Sequence, residues 1–238
     1  MVGIIDMHCH IIADVDDGAQ TLEESKDMLD MAYAEGIRVI IATPHVRRGI
    51  FECSIDEIEK KYLVLKELAK HIGDGIDILL GYEYYAEIEM VEKLKEDSRY
   101  TLAKSAYVLI EFSADTEFSY MRAIVQELVF NGYQPILAHA ERYECLYRRF
   151  YVNEIVTMGA RIQLNANSII GENGREVKKF CKRMMKEDLL SFVGTDGHDV
   201  DVRQPSIAKC ADYIEKKKGH QYAQRILIDN PRKIIESS

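Results

Sequence analysis

Residues 2–10 read VGIIDMHCH, an apolar run that ends on two histidines two positions apart, with Asp16 and Asp17 shortly beyond. A short β-branched run of this kind predicts a strand. Alternate residues of a strand face the same way, so Asp6, His8 and His10 would project together. Six further runs share the character of the first: IRVIIAT at 37–43, IDILLGYE at 76–83, YVLIEF at 107–112, PILAHA at 135–140, RIQLNA at 161–166 and LSFVGTD at 190–196. Amphipathic stretches separate them, which predicts repeated strand-helix units and a parallel sheet. Continuous apolar character in several runs implies cover on both faces.

The intervening helices have readable starts. TLEE at Thr21 and SIDE at Ser54 each place Glu three residues after a hydroxyl N-cap, the pattern of a capping box. After the second cap, Ile55, Ile58, Tyr62, Leu65, Ala69 and Ile72 repeat at helical spacing and would lie on the sheet. Asp229, Asn230 and Pro231 predict a turn into a last short helix. With 4 prolines, 14 glycines and no linker or repeat, residues 1–238 read as one domain.

Bulk properties narrow the function. The 238 residues are 47% hydrophobic, enough for a sizeable core. A net charge of −9 without a basic block argues against nucleic acid as a partner. No apolar run reaches the roughly 18 residues of a membrane span, and no basic leader precedes the first strand, so a cytoplasmic protein without membrane insertion is expected. Five cysteines without a CxxC pair suit a reducing compartment. A homo-oligomer is compatible with the chain.

The unusual polar residues fall at or just past the ends of the predicted strands. Asp6, His8 and His10 end the first, and His45 in TPH follows the second. Glu83 ends the third, Glu111 the fourth, His139 the fifth, and Asp196 with His198 the seventh. In a parallel barrel these ends share one rim, where active sites are built. One buried histidine is ordinarily structural, but this many imidazoles and carboxylates at one rim would be costly to bury uncompensated. Divalent cations resolve the cost, and mixed N/O ligands suit Mn²⁺, Fe or Zn²⁺. More ligands than one ion needs imply several ions. A set about 3.5–4 Å apart can clamp an in-line displacement at phosphorus, so phosphate-ester hydrolysis is the natural use. His71 and His220 sit in charged helical stretches and read as surface residues.

Taken in order, HCHIIADVDDGA, TPHVRRGIF, GYE, LIEF, HAERY and GTDGHD resemble the PHP superfamily, and within it the bacterial metal-dependent protein-tyrosine phosphatases of capsular and exopolysaccharide loci, the CpsB/YwqE type. The resemblance runs from about residue 4 to Pro231. It implies a distorted (β/α)7 TIM-like barrel holding three divalent ions, commonly manganese. By position, His8, His10, Glu83 and Asp196 would hold one ion. Glu83, Glu111 and His139 would hold a second, and Asp17, His45 and His198 a third. Asp6 would orient a ligand histidine. Three such ions outweigh the four carboxylates by two charges, which suits a phosphomonoester dianion. Arg142 would grip or stabilise the phosphoryl oxygens, with His45 and His198 beside it as catalytic candidates, and Arg47, Arg48 and Arg203 could line the entrance. The implied substrate is a phosphotyrosyl protein, a tyrosine kinase of polysaccharide assembly.

Three rival readings stand beside this one. Cysteine-based phosphatase chemistry needs Arg six positions after the nucleophile, and those positions hold Val15, Glu59, Tyr151, Glu187 and Lys216. Histidinol phosphate or another small phosphomonoester is the alternative substrate, and a non-catalytic metal-binding module the alternative class.

Overall fold

The computed structural model describes residues 1, 3–87 and 89–237. Val2, at the head of the first predicted strand, lies outside the described residues, as do Ile88 and Ser238 of the predicted domain. Parallel strand segments alternate with helices: β1 (Ile4–Cys9), β2 (Ile37–Ala42), β3 (His45–Val46), β4 (Asp77–Leu80), β5 (Glu83–Tyr85), β6 (Tyr107–Glu111), β7 (Gln134–Leu137), β8 (Arg161–Asn165) and β9 (Leu190–Gly194). They form two sheets, β1-β2-β4 and β3-β5-β6-β7-β8-β9. At the carboxyl ends the sheets meet, because Asp196 N donates to His8 O at 2.8 Å and His10 N to Gly197 O at 2.8 Å. The result is a distorted, TIM-barrel-like α/β architecture: the alternation predicts its parallel strands, and the family resemblance implies the distorted barrel.

The distortion has a local cause. The third predicted strand is broken at Gly81, where an added Cβ would lie 2.5 Å from Leu102 Cδ2. The chain bends at this close approach, leaves β2 and pairs with β3 and β6 instead. Glu83 therefore begins β5 rather than ending a long strand, and the TPH loop supplies its partner, His45 opposite Glu83. A register slip between Asp6 and Cys9 interrupts β1 as well, so simple alternation does not carry through the HxH segment.

The helices pack outside. They are α1 (Leu22–Ala34), α2 (Ile55–Ala69), α3 (Met90–Glu96), α4 (Phe118–Phe130), α5 (Arg149–Thr157), α6 (Ala166–Ile170), α7 (Arg175–Lys186), α8 (Ala208–Lys218), α9 (His220–Gln224) and α10 (Asn230–Glu236). Thr21 caps α1 through Glu24 N, and Ser54 with Glu57 forms the reciprocal box at α2. The α2 stripe is buried at Ile58, Leu65 and Ala69, each of the larger two stabilising by about 1.5–3 kcal/mol. The predicted turn at 229–231 is absent. Residues Arg225–Asp229 form a π-helical turn that runs into α10, and Pro231 sits in its first turn, where a missing N–H costs nothing. Among the described residues no helix is long and apolar enough to cross a membrane. The five cysteines are free, and Cys9 faces Gly197 O rather than a histidine ring.

Candidate metal centre

At the carboxyl ends of the strands, His8 and His10 are fully buried with Glu83, and Asp196 is nearly so. Nε2 of His8 lies 3.1 Å from Nε2 of His10 and 3.1 Å from Glu83 Oε2. Asp196 Oδ1 is 3.5 Å from both imidazoles. His45, seated by its pairing with Glu83, puts Nδ1 3.2 Å from Glu83 Oε2 and 3.3 Å from Glu111 Oε1. Its Nε2 lies 3.4 Å from Asp17 Oδ1, which is also 3.5 Å from His198 Nε2. His139 Nε2 sits 2.9 Å from Glu83 Oε1 and 3.9 Å from Glu111 Oε2.

Three sets of ligand atoms each lie within 4.8 Å of one another: His8, His10, Glu83 and Asp196; His10, Asp17, His45 and His198; and His45, Glu83 and Glu111. The sets contain eight of the nine residues expected as ligands, with His10, His45 and Glu83 each shared between two sets, and His139 adjoins them through Glu83. His71 and His220 lie apart and exposed, His220 against Glu215.

The donor set fits divalent ions on its own chemistry. Nδ1 of His8 faces Gln163 Oε1 at 3.2 Å and Nδ1 of His10 faces Asp16 Oδ2 at 2.8 Å. We assign the ring protons to these nitrogens from the hydrogen bonds, which aims both Nε2 lone pairs at each other and at two carboxylates. Such convergence is repulsive unless a cation or protons intervene. Glu83 Oε2, His45 Nδ1 and His198 Nε2 are buried with no hydrogen-bond partner among the described residues. Burial alone would raise the Glu83 pKa, but His8, His10 and His139 hold its carboxyl well below the ordinary value.

Two of the six described non-glycine residues with positive φ are ligands. His139 has φ of 32° and Asp196 φ of 53°, left-handed conformations that cost a non-glycine residue about 1 kcal/mol or more. Each is held by its surroundings. His139 N donates to Gln163 Oε1 at 2.6 Å, and Asp196 Oδ2 accepts from Asn165 Nδ2 at 2.8 Å.

Arg142 Nη2 donates to Asp196 Oδ2 at 2.6 Å, and Arg203 Nη2 reaches the same oxygen at 3.0 Å. The two guanidinium groups thus flank the ligand set. Arg47 stacks on Tyr85, 4.1 Å from the ring centroid, and Arg48 is exposed. Phe51 stacks on His45 with centroids 5.2 Å apart. Tyr143, Tyr82 and Tyr84 are buried, so they pack within the fold and do not line an opening.

Asp6 is expected beside the ligands, whereas Asp16, Gln163 and Asn165 escape a reading of the sequence. Asp6 accepts from the backbone N of His8 and from Thr195, and burial lifts its pKa to about 6 despite the Thr195 bonds; the rings of His8 and His10 are oriented instead by Gln163 and Asp16. Asp16 also accepts from His45 N at 2.9 Å, tying the first two ligand segments together. Gln163, Asn165 and Asp196 form a chain of amide and carboxylate bonds. The available signal was polarity at alternate positions of RIQLN, a strand otherwise buried.

Strand ends that converge on clustered imidazoles and carboxylates, in a parallel α/β barrel, define a metal-dependent hydrolase class. The profile of the capsular polysaccharide synthesis family CpsB/CapC matches residues 4–236, and the chain belongs to that family. It is 37% identical to the tyrosine-protein phosphatase CpsB of Streptococcus pneumoniae over 98% of both chains. It is 31% identical to the tyrosine-protein phosphatase YwqE of Bacillus subtilis over 92% of this chain and 86% of that one. A solved structure from a description of YwqE and CpsB as unique metal-dependent tyrosine phosphatases superposes with a TM-score of 0.89 at 30% identity, covering 99% of this chain and 95% of that one. The phosphotriesterase homology protein of Escherichia coli, 14% identical at a TM-score of 0.59 over 98% of this chain and 99% of that one, shares the fold alone.

Proposed function

We propose that this chain is a metal-dependent protein-tyrosine phosphatase that hydrolyses phosphotyrosine, with three divalent ions, manganese foremost and Fe or Zn²⁺ as substitutes. The observation that carries the reading is the convergence of imidazole nitrogens on the partnerless Glu83 Oε2 and on Asp196, flanked by two guanidinium groups. His8, His10, Asp17, Glu83, Glu111, His139, Asp196 and His198, with His45 between sets, would hold the ions, which would supply Lewis acidity toward phosphoryl oxygens and acidify water at neutral pH. Arg142 and Arg203 bind the equatorial oxygens and stabilise their growing charge. Gln163, Asp16 and Asn165 keep the ligand side chains in register, so little reorganisation accompanies turnover. Asp17 and His45 face the opening, where the tyrosyl group enters and leaves; Asp17 is held below its ordinary pKa by His198 and His45, so it stays ionised there.

The physiological substrate in this reading is a tyrosine kinase of polysaccharide assembly, met in the cytoplasm, with consequences for capsule or exopolysaccharide synthesis. Free thiols and the family's name support that placement. The decisive assay compares phosphate release from a phosphotyrosyl peptide, from p-nitrophenyl phosphate and from histidinol phosphate, with manganese and after chelation. Metal-dependent release that favours the phosphotyrosyl peptide is expected. Preference for histidinol phosphate would move the chain to the small-phosphomonoester reading, and no release from any substrate to a non-catalytic module.

A further inference from the structure

Beyond Asp196 lies a cavity of about 120 Å³ that contains none of the site histidines. Its near wall is Arg142, Arg203 and Asp196, so it shares a partition with the ligand cluster. Its far wall is built by other elements: Asn167 from α6, Gln204 from the loop after β9, and Lys209 from the first turn of α8. Lys209 is exposed and has no ion pair among the described residues. Glu172 stands at the rim, also exposed.

We infer that this cavity is a specificity subsite for a carboxylate side chain of the substrate, one or two residues from its phosphotyrosine. The inference rests on the phosphatase reading above and names the peptide class it would prefer. Polar and charged side chains make up most of the walls, with Ile170, Val202 and Cys210 between them, which favours a polar occupant. Arg142 and Arg203 share one carboxylate oxygen, so two positive groups meet one negative one before Lys209 is counted. Glu172 reduces that excess. The balance suits a monoanionic carboxylate better than a second phosphoryl dianion, and the volume admits a carboxylate group. The geometry also sets the reach. An extended peptide advances about 3.3 Å per residue and places side chains two apart on one face, so a carboxylate near the phosphotyrosine, most directly at −2 or +2, can approach the exposed Lys209 end of the cavity while the longer phosphotyrosine side chain reaches deeper. The carboxylate would lie against the Lys209 ammonium, leaving Arg142 and Arg203 to the phosphoryl group.

The test compares paired phosphotyrosyl peptides on the manganese-loaded protein, identical except for Glu or Gln at each of the positions −2, −1, +1 and +2. At one position the Glu peptide should show about tenfold higher kcat/KM, the size of one hydrogen bond to a charged group. The ratio should fall to about one in Lys209→Ala and invert in Lys209→Glu. A ratio is read within each variant, so partial loss of metal or of folded protein does not move it. Ratios near one at every position in the unaltered protein, or a preference that survives Lys209→Glu, would overturn the subsite while leaving the phosphatase reading intact. Absence of release from both peptides and from p-nitrophenyl phosphate would remove both readings together.

Discussion

The two walls of the ligand cluster are built differently. Around β1 and β9, His8, His10 and Asp196 are buried, and each has an outer partner: Gln163, Asp16 and Asn165. Toward β3 and β6 the side chains open to solvent. His45 is 11% exposed, Glu111 14% and Asp17 52%, and Nδ1 of His45 has no hydrogen-bond partner among the described residues. A buried, hydrogen-bonded wall fixes ligand geometry before any ion arrives, whereas an open wall leaves room for a substrate to approach. Metal affinity should therefore depend mainly on the first wall, and turnover on the groups at the second wall and along the rim.

The largest effect should come from Glu83, which lies against both walls. Glu83→Gln should reduce phosphate release to the level of chelator-treated protein and lower bound metal measured by elemental analysis; retained turnover with full metal content would break the contrast. Next in size, Arg142→Ala should lower kcat by about 10²- to 10³-fold, the cost of losing one donor to a developing oxyanion, with metal content unchanged. Loss of metal in that variant would show that the arginine supports the buried wall through Asp196 instead. Asp16→Asn should weaken metal binding by about 10- to 100-fold, and excess manganese should restore most of its turnover. A defect that manganese does not repair would place Asp16 outside the supporting wall. The smallest effect belongs to the open side: Phe51→Ala removes a ring stacked on His45, worth about 1 kcal/mol, so kcat/KM should drop about fivefold. An effect as large as that of Asp16→Asn would mean that His45 depends on packing as heavily as His10 depends on its hydrogen bond.

The same contrast explains what could be read from the chain alone. Seven apolar runs and the polar residues closing them announce a parallel barrel with a crowded rim, because strand ends and metal-type side chains are both visible in one dimension. The supporting wall is less legible. Asp16 and Asp17 are neighbours of the same type, and only folding decides which one meets His10 and which one faces the opening. Gln163 and Asn165 are neutral and sit in a strand that looks like its neighbours. The break at Gly81 is equally silent, since the neighbour for which glycine makes room there is Leu102, outside its own segment. It is this break that moves Glu83 from the end of one strand to the start of another.

The seam between Cys9 and Gly197 joins positions 188 apart, and ligands stand on both sides of it. Nearly the whole chain must therefore have left the ribosome before a first cation can be captured there. Two of the three ligand sets are completed only by Asp196 and His198, so an N-terminal fragment ending short of Asp196 should load less manganese than the full chain.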